Sequence, residues 1–430
     1  MLKNLFKTSI LLGVCAAVAP TFASSADDDR TNTGKKGSLV ILPSVELRYD
    51  STTGDLIQDT FVTLSNDFAA PVRVKVYYLN GNALDWTAVD FVLTMTPDEP
   101  YYWSLDNPTD ASAFGQRPRS FRNVGSPVTE TDAYGRTFDT LRGAVIMYAL
   151  SSDADKQNTA IRWNHLSAKA TAVNYVDGSA YEYNAYAFQS HLRRDNQTVP
   201  QGAPLSSEPT EYIRMDGIMY DGAPDQVLVD AFADGSTALS GGGISTEVNT
   251  RLNTLVLDMD LRSGGDGPTA TLAFFTVHRQ DEVPLTWSNQ NHCIICWEST
   301  YLAGIRADVF DASIVNADRV KARIQTFDSY DICYPVVRAL DPNLSVSYAQ
   351  SPLIGVTIKE LSFEGQAFGT AASPLVGEGG NVGSIESATI KVGDNGGPII
   401  PGGELGTGGD VGDLAPTAPP TGGRKGRNDR

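Results

Sequence analysis

Short runs in which apolar residues alternate with polar ones recur along this chain, each closed by a cluster of Gly, Pro, Asn, Asp or Ser. A period of two puts successive side chains on opposite faces of a strand, so such runs are half-buried strands. Val72-Arg73-Val74-Lys75-Val76 and Val320-Lys321-Ala322-Arg323-Ile324-Gln325 are the clearest. Thr87 to Thr96 stops at Pro97, and Ala170 to Tyr175 and Ala180 to Phe188 flank Val176-Asp177-Gly178-Ser179, a short hairpin signal. Val227 to Phe232, Leu252 to Leu261, Thr269 to His278 and Gly355 to Phe363 are further strands. Gly143 to Leu150 is continuously apolar and suits a strand buried on both faces. Asp50 to Asp55 is a turn cluster, and Asp67 to Pro71 reads as a hairpin connection. No window of about a dozen residues carries an apolar stripe at helical spacing. The expectation is an all-β fold of two antiparallel immunoglobulin-like β-sandwich domains, residues 38–200 and 210–368.

Polar, Pro-containing Asp195 to Glu211 marks the boundary between the two. Thr60-Phe61-Val62-Thr63-Leu64 leading to Val72–Tyr78 is echoed by Thr254-Leu255-Val256-Leu257-Asp258 leading to Thr269–Phe275, which is compatible with an internal duplication. Beyond residue 369 the texture changes. Residues 391–430 hold 12 Gly and 5 Pro and no aromatic residue, so the region 369–430 is expected to be a disordered, Gly/Pro-rich low-complexity tail.

The N-terminus is an address. Lys3 and Lys7 precede the apolar run Ile10 to Val18, which is too short to span a bilayer, and small residues follow up to Ala26. Residues 1–26 read as a secretory signal peptide and 27–37 as a flexible leader. With no later span, the mature protein is expected to be secreted: periplasmic, cell-surface or extracellular. The formal net charge is −18, and losing Lys3 and Lys7 makes the mature chain two units more negative. That balance excludes a basic nucleic-acid footprint and electrostatic docking on anionic lipid.

Export changes the meaning of the cysteines. Cys15 leaves with the signal, and Cys293, Cys296 and Cys333 remain. An oxidising compartment favours a disulfide, and an odd count leaves one thiol over. Asn291-His292-Cys293-Ile294-Ile295-Cys296-Trp297 is also compatible with buried thiols or with a metal site using Cys333. In an extended strand, residues three apart lie roughly 10 Å apart on opposite faces, so Cys293 and Cys296 do not bond each other there. Cys296, next to Trp297, is the expected partner of Cys333.

No catalytic residue stands out. His165, His191, His278 and His292 fall in no H-E-x-x-H, and G-x-S-x-G, P-loop and dinucleotide fingerprints are missing. Each His reads as an ordinary strand or loop residue. Asp258 and Asp260 with Asp266 form a candidate calcium loop, without EF-hand spacing, and a solvated acidic surface explains them equally. Asp50, Asp55 and Asp59 form a second acidic cluster. Tyr101, Tyr102 and Trp103 are candidate ligand-stacking aromatics, with core packing as the alternative. Tyr181 and Tyr183 share one face of their strand and Tyr186 lies on the other.

Several phrases together carry a resemblance: Asp59–Asn66 (DTFVTLSN), Val74–Asn80 (VKVYYLN), Trp86 followed by Val89–Thr94, Pro100–Trp103, Asn164–Thr171 and Tyr183–Ala185. They resemble a group of secreted bacterial β-sandwich proteins with signal peptides and low-complexity tails, to which no activity is assigned. In that group the strand matching VKVYYLN often carries a Cys, which this chain lacks. The resemblance implies fold and compartment only. The function expected from the sequence is a non-enzymatic structural, surface or matrix, or adhesive role, with surface or matrix components or glycans as partners. The alternative is a secreted carbohydrate-binding or carbohydrate-hydrolysing protein using exposed aromatics and carboxylates. No cofactor beyond calcium is suggested.

Overall fold

The computed structural model describes residues 36–393, apart from 83–87, 110–113, 132–135, 192, 194–196, 225, 263–266, 286–290, 365 and 379–386. The signal peptide, the leader up to residue 35 and residues 394–430 therefore lie outside the described residues, as do Trp86 and Asp266.

The first half of the chain builds one antiparallel sheet. Its strands are β1 (Leu39–Asp50), β2 (Leu56–Asn66), β3 (Val72–Asn80), β4 (Ala88–Met95) and β5 (Pro100–Ser104), then β6 (Val128–Thr131), β7 (Thr137–Leu150), β8 (Leu166–Asn174), β9 (Ala180–Asn184) and β10 (Tyr186–Phe188). The order is β4-β3-β7-β1-β2-β8-β9, with β5 on β2, β6 on β7 and β10 on β1. The central strands are apolar on both faces because both faces are covered. Val40, Val76, Tyr78, Val145 and Met147 enter one core with Tyr181 and Tyr183. Their neighbours Leu39, Ile41, Tyr77, Ile146 and Tyr148 enter a second core with Tyr186. The unbroken apolar run from Gly143 is explained by this double burial. Gly143 itself is required by close approach: an added Cβ would lie 1.7 Å from the Leu79 carbonyl oxygen.

The second half adds β11 (Tyr212–Met215), β12 (Gln226–Phe232), β13 (Thr246–Val256), β14 (Met259–Asp260), β15 (Thr269–Arg279), β16 (Pro284–Leu285), β17 (Asn291–Ile295) and β18 (Trp297–Tyr301). β19 (Arg319–Phe327), β20 (Ser347–Tyr348), β21 (Leu353–Phe363), β22 (Gln366–Pro374), β23 (Val376–Glu378) and β24 (Ala388–Lys391) follow. They form a seven-stranded sheet about β16-β15-β19-β12-β23, a four-stranded sheet β18-β13-β21-β22 and a three-stranded sheet β11-β24-β14. A third core lies among Val229 of β12, Phe275 of β15, Ile324 of β19, Val256 of β13 and Leu353 of β21. Strict alternation of exposed and buried residues along β19 matches its sequence pattern. The protein is thus largely β, with four antiparallel-rich sheets and few helices.

The segment around Asp195–Glu211, expected at the boundary, packs on the body: Val199 and Leu205 are buried in the second core, and Ile161 bridges Pro204. Three local expectations are corrected. β2 and β3 are not a hairpin, because β1 and β7 lie between them in the sheet. The tail does not begin at 369, because β22 and β23 extend two sheets and β24 pairs with β11 across Tyr212–Met215. Ile390 and Val392, apolar residues in a Gly-rich context, supply the buried surface that holds β24. Finally, helices α1 (Leu302–Phe310), α2 (Ala312–Val315) and α3 (Tyr330–Leu340) occur where none was expected. Only Cys333 and Val337 of α3 are buried, and Pro335 stands inside it, so the stripe was too narrow to read.

Candidate functional site

A polar interior lies where the first sheet meets the four-stranded sheet, and it begins at a bulge. The register of β1 against β7 shifts between Leu42 and Val45. Pro43, which has no N–H to give to a ladder, and Ser44 occupy the irregularity. The groups released there bind two residues of the other half of the chain and Tyr183 of β9. Pro43 O accepts from Trp297 Nε1 at 2.7 Å, and Ser44 Oγ accepts from Asn253 Nδ2 at 2.8 Å. Tyr183 Oη accepts from Ser44 N at 3.0 Å.

Two residues on, Glu46 is buried with three guanidinium groups around it. Arg142 Nε and Arg251 Nη1 each lie 3.1 Å from its Oε2, and Arg48 pairs with Oε1. Arg251 also reaches Glu360 at 3.2 Å, Glu360 accepts from Tyr301 Oη at 2.6 Å, and Arg142 pairs with Glu130. Burial alone would push the Glu46 carboxyl up. The charges of Arg142, Arg251 and Arg48 outweigh it and hold the group well below the usual carboxylate range. β1, β7, β13 and β21 each supply a member, so the network ties residues far apart in sequence.

This network forms one wall of a partly open cavity of about 420 Å³. Arg136, Phe138, Tyr181 and Asn249 also line it. Six lining side chains have buried polar atoms without a hydrogen-bond partner: Gln58 Nε2, Thr140 Oγ1, Asp177 Oδ1, Arg251 Nε, Ser299 Oγ and Thr370 Oγ1. Sequence inspection missed this site. The available signal was charge within an apolar stretch, such as Glu46 and Arg48 in SVELRY or Arg142 in TLRGAV.

The sequence candidates fall elsewhere. Tyr101, Tyr102 and Trp103 do not form a stacking platform. Alternation along β5 turns Tyr101 and Trp103 inward, stacked at 5.4 Å, with Trp103 Nε1 donating to Tyr78 Oη at 2.7 Å. Only Tyr102 is exposed, at 59 %. Asp258 and Asp260 do not converge as a cation site. Asp258 Oδ1 accepts from Thr389 N at 2.6 Å, while Asp260 is neutralised by Arg262 at 2.6 Å and Lys391 at 3.7 Å. Asp266 lies outside the described residues. Among the described residues no group of three His, Cys, Asp or Glu side chains is placed to hold a metal. His165 pairs with Asp67, His191 with Asp221 and His292 with Glu298. Asp50 instead ends a turn, its Oδ1 accepting from Thr52 N and Thr53 N, and Asp59 accepts from Ser104 Oγ on β5.

The disulfide joins Cys293 to Cys333, with Cα atoms 5.5 Å apart, and the expected Cys296–Cys333 pairing is corrected. The reason is a corner. Cys296 takes a positive φ of 59° between β17, in the seven-stranded sheet, and β18, in the four-stranded one. Its thiol turns into the second core, whereas Cys293 on β17 lies beside α3. The bond fixes a helix that exposes large apolar side chains between Asp331 and Arg338 and at its ends. Tyr330, Ile332, Tyr334, Val336 and Leu340 are all exposed. Tyr330 stacks on Tyr334 at 5.4 Å and meets Tyr348 edge-on at 5.3 Å.

Fold and site thus define a largely β protein with one disulfide and a charge-lined cavity between sheets. Among the described residues no helix is long and apolar enough to cross a membrane. No protein-family model matches the chain, and no curated protein sequence does. Among solved structures, the CupB6 tip adhesin from Pseudomonas aeruginosa is similar at 8 % identity, over 80 % of this chain and 92 % of that chain. Its TM-score of 0.14 is too low for the likeness to carry an argument.

Proposed function

We propose that this is an exported, non-enzymatic β-rich protein with a structural or adhesive role at a surface or in a matrix. The reading rests chiefly on α3. Five large apolar side chains stand in solvent on a helix pinned to its sheet by the Cys293–Cys333 bond. An exposed apolar patch of this kind is the usual mark of an interaction surface. A disulfide belongs to an oxidising compartment and supports export. The finer architecture we infer is two immunoglobulin-like sandwiches, from residues 38–200 and from 210 onward, fused through a shared core. The test uses beads coated with the full mature chain and presented to the surface of the producing cells. Wild-type beads are retained, and Tyr330→Ser with Tyr334→Ser releases them while the thermal midpoint holds. Retention that ignores the double substitution, or no retention of the wild type, overturns the reading.

A further inference from the structure

We infer that the cavity between β1, β7, β13, β18 and β21 is a binding site for an uncharged polyhydroxylated ligand, of the size of one or two sugar rings. This site is separate from the α3 face and does not depend on it. At about 420 Å³ the cavity falls within the range of small-molecule sites. Its charges balance. Arg48, Arg136, Arg142 and Arg251 line it with Glu130, Asp177 and Glu360, and Glu46, buried behind the wall and paired with Arg48, Arg142 and Arg251, brings the local balance to zero, so little net field is left to select an ion.

The polar groups awaiting partners are of both kinds. Gln58 Nε2 and Arg251 Nε can only donate, Asp177 Oδ1 as a carboxylate can only accept, and the Thr140, Ser299 and Thr370 hydroxyls do either. Gln58, Thr140 and Arg251 are each more than nine-tenths buried. Buried groups left without partners are costly, so something must pair with them. A carboxylate or phosphate offers acceptors alone and leaves Asp177 Oδ1 unmatched. A polyol offers a donor and an acceptor on each carbon and matches the whole set. Phe138 and Tyr181 add apolar faces for C–H groups. Glu46 and Glu360 hold the guanidinium groups fixed before a ligand arrives, which lowers the ordering cost of binding.

The full mature chain is titrated with glucose, galactose, mannose, N-acetylglucosamine and their disaccharides, followed by ligand-observed NMR, with glucuronate and citrate as anionic controls. At least one neutral sugar binds, and Ser299→Ala with Thr370→Val weakens it about tenfold, the effect of roughly one lost hydrogen bond. Should the double variant fail to fold, hydrogen exchange of the wild-type chain decides. Added sugar then slows exchange in β1, β13 and β18 and leaves β12 and β19 unchanged. No neutral sugar bound means the cavity holds water only, and stronger binding of the anions means a different ligand class. Either result overturns the proposal.

Discussion

At Glu46 three guanidinium groups converge on one buried carboxylate. Removing one member of such a cluster leaves the others buried and uncompensated, which costs about 3–5 kcal/mol. Glu46→Gln is therefore expected to lower the urea midpoint at neutral pH by that equivalent. The pH dependence follows from the sign of the shift. The folded carboxyl is held below its ordinary value of 4.5, so its stabilisation is complete above that value and drains away as pH falls further. Asp234 acts in the opposite sense. Burial pushes it up to about 6 from 3.8, so the stability it gives by holding a proton disappears as pH rises through that window. Urea titrations at a series of pH values separate the two: Glu46→Gln flattens the slope below 4.5 and leaves that between 4.5 and 6 intact. An unchanged acid slope in the variant contradicts the assignment.

At the scale of elements, the disulfide and α3 belong together. The bond closes a separation of 40 residues, worth about 4 kcal/mol on the loop-entropy model. With few buried side chains of its own, α3 relies on that tether. Cys333→Ser is expected to expose backbone amides of α3 to rapid exchange while those of β19 stay protected, and the intact wild-type mass should gain two hydrogens on reduction. A mass unchanged by reductant contradicts the bond. Strand positions were largely legible, because alternation at Val72–Val76 and Val320–Gln325 is a local consequence of one wet face. Strand neighbours were legible at the β8–β9 hairpin around Val176–Ser179 but not between β2 and β3. The polar turn at Asp67–Pro71 looks like any hairpin loop, and only the competition of β7 for both β3 and β1 decides that β2 goes elsewhere. The helices were hidden for a related reason: α3 is held by a covalent bond and a few contacts rather than by a broad apolar stripe.

Across the whole molecule, the two halves share interior. Tyr186 Oη donates to the carbonyls of Gly355 at 2.7 Å and Leu375 at 2.6 Å, and the second core draws on strands from both sides of residue 200. Calorimetry of the mature chain is therefore expected to give one cooperative transition, and a fragment ending at residue 209 to expose that core and aggregate. Two separated transitions contradict the shared core. By itself the sequence determined that the chain is β-rich, where most strands run and which faces are wet, since these depend on residues within one strand. Its leader and cysteines set the expectation of export. Only the tertiary structure decided which strands lie beside β2 and β3, that Cys293 rather than Cys296 meets Cys333, that Tyr101 and Trp103 are core, and that Glu46, Arg142, Arg251 and Glu360 meet. Those outcomes depend on side chains brought together from separate strands, 40 residues apart for Cys293 and Cys333 and 96 for Glu46 and Arg142, and no local periodicity carries such distances.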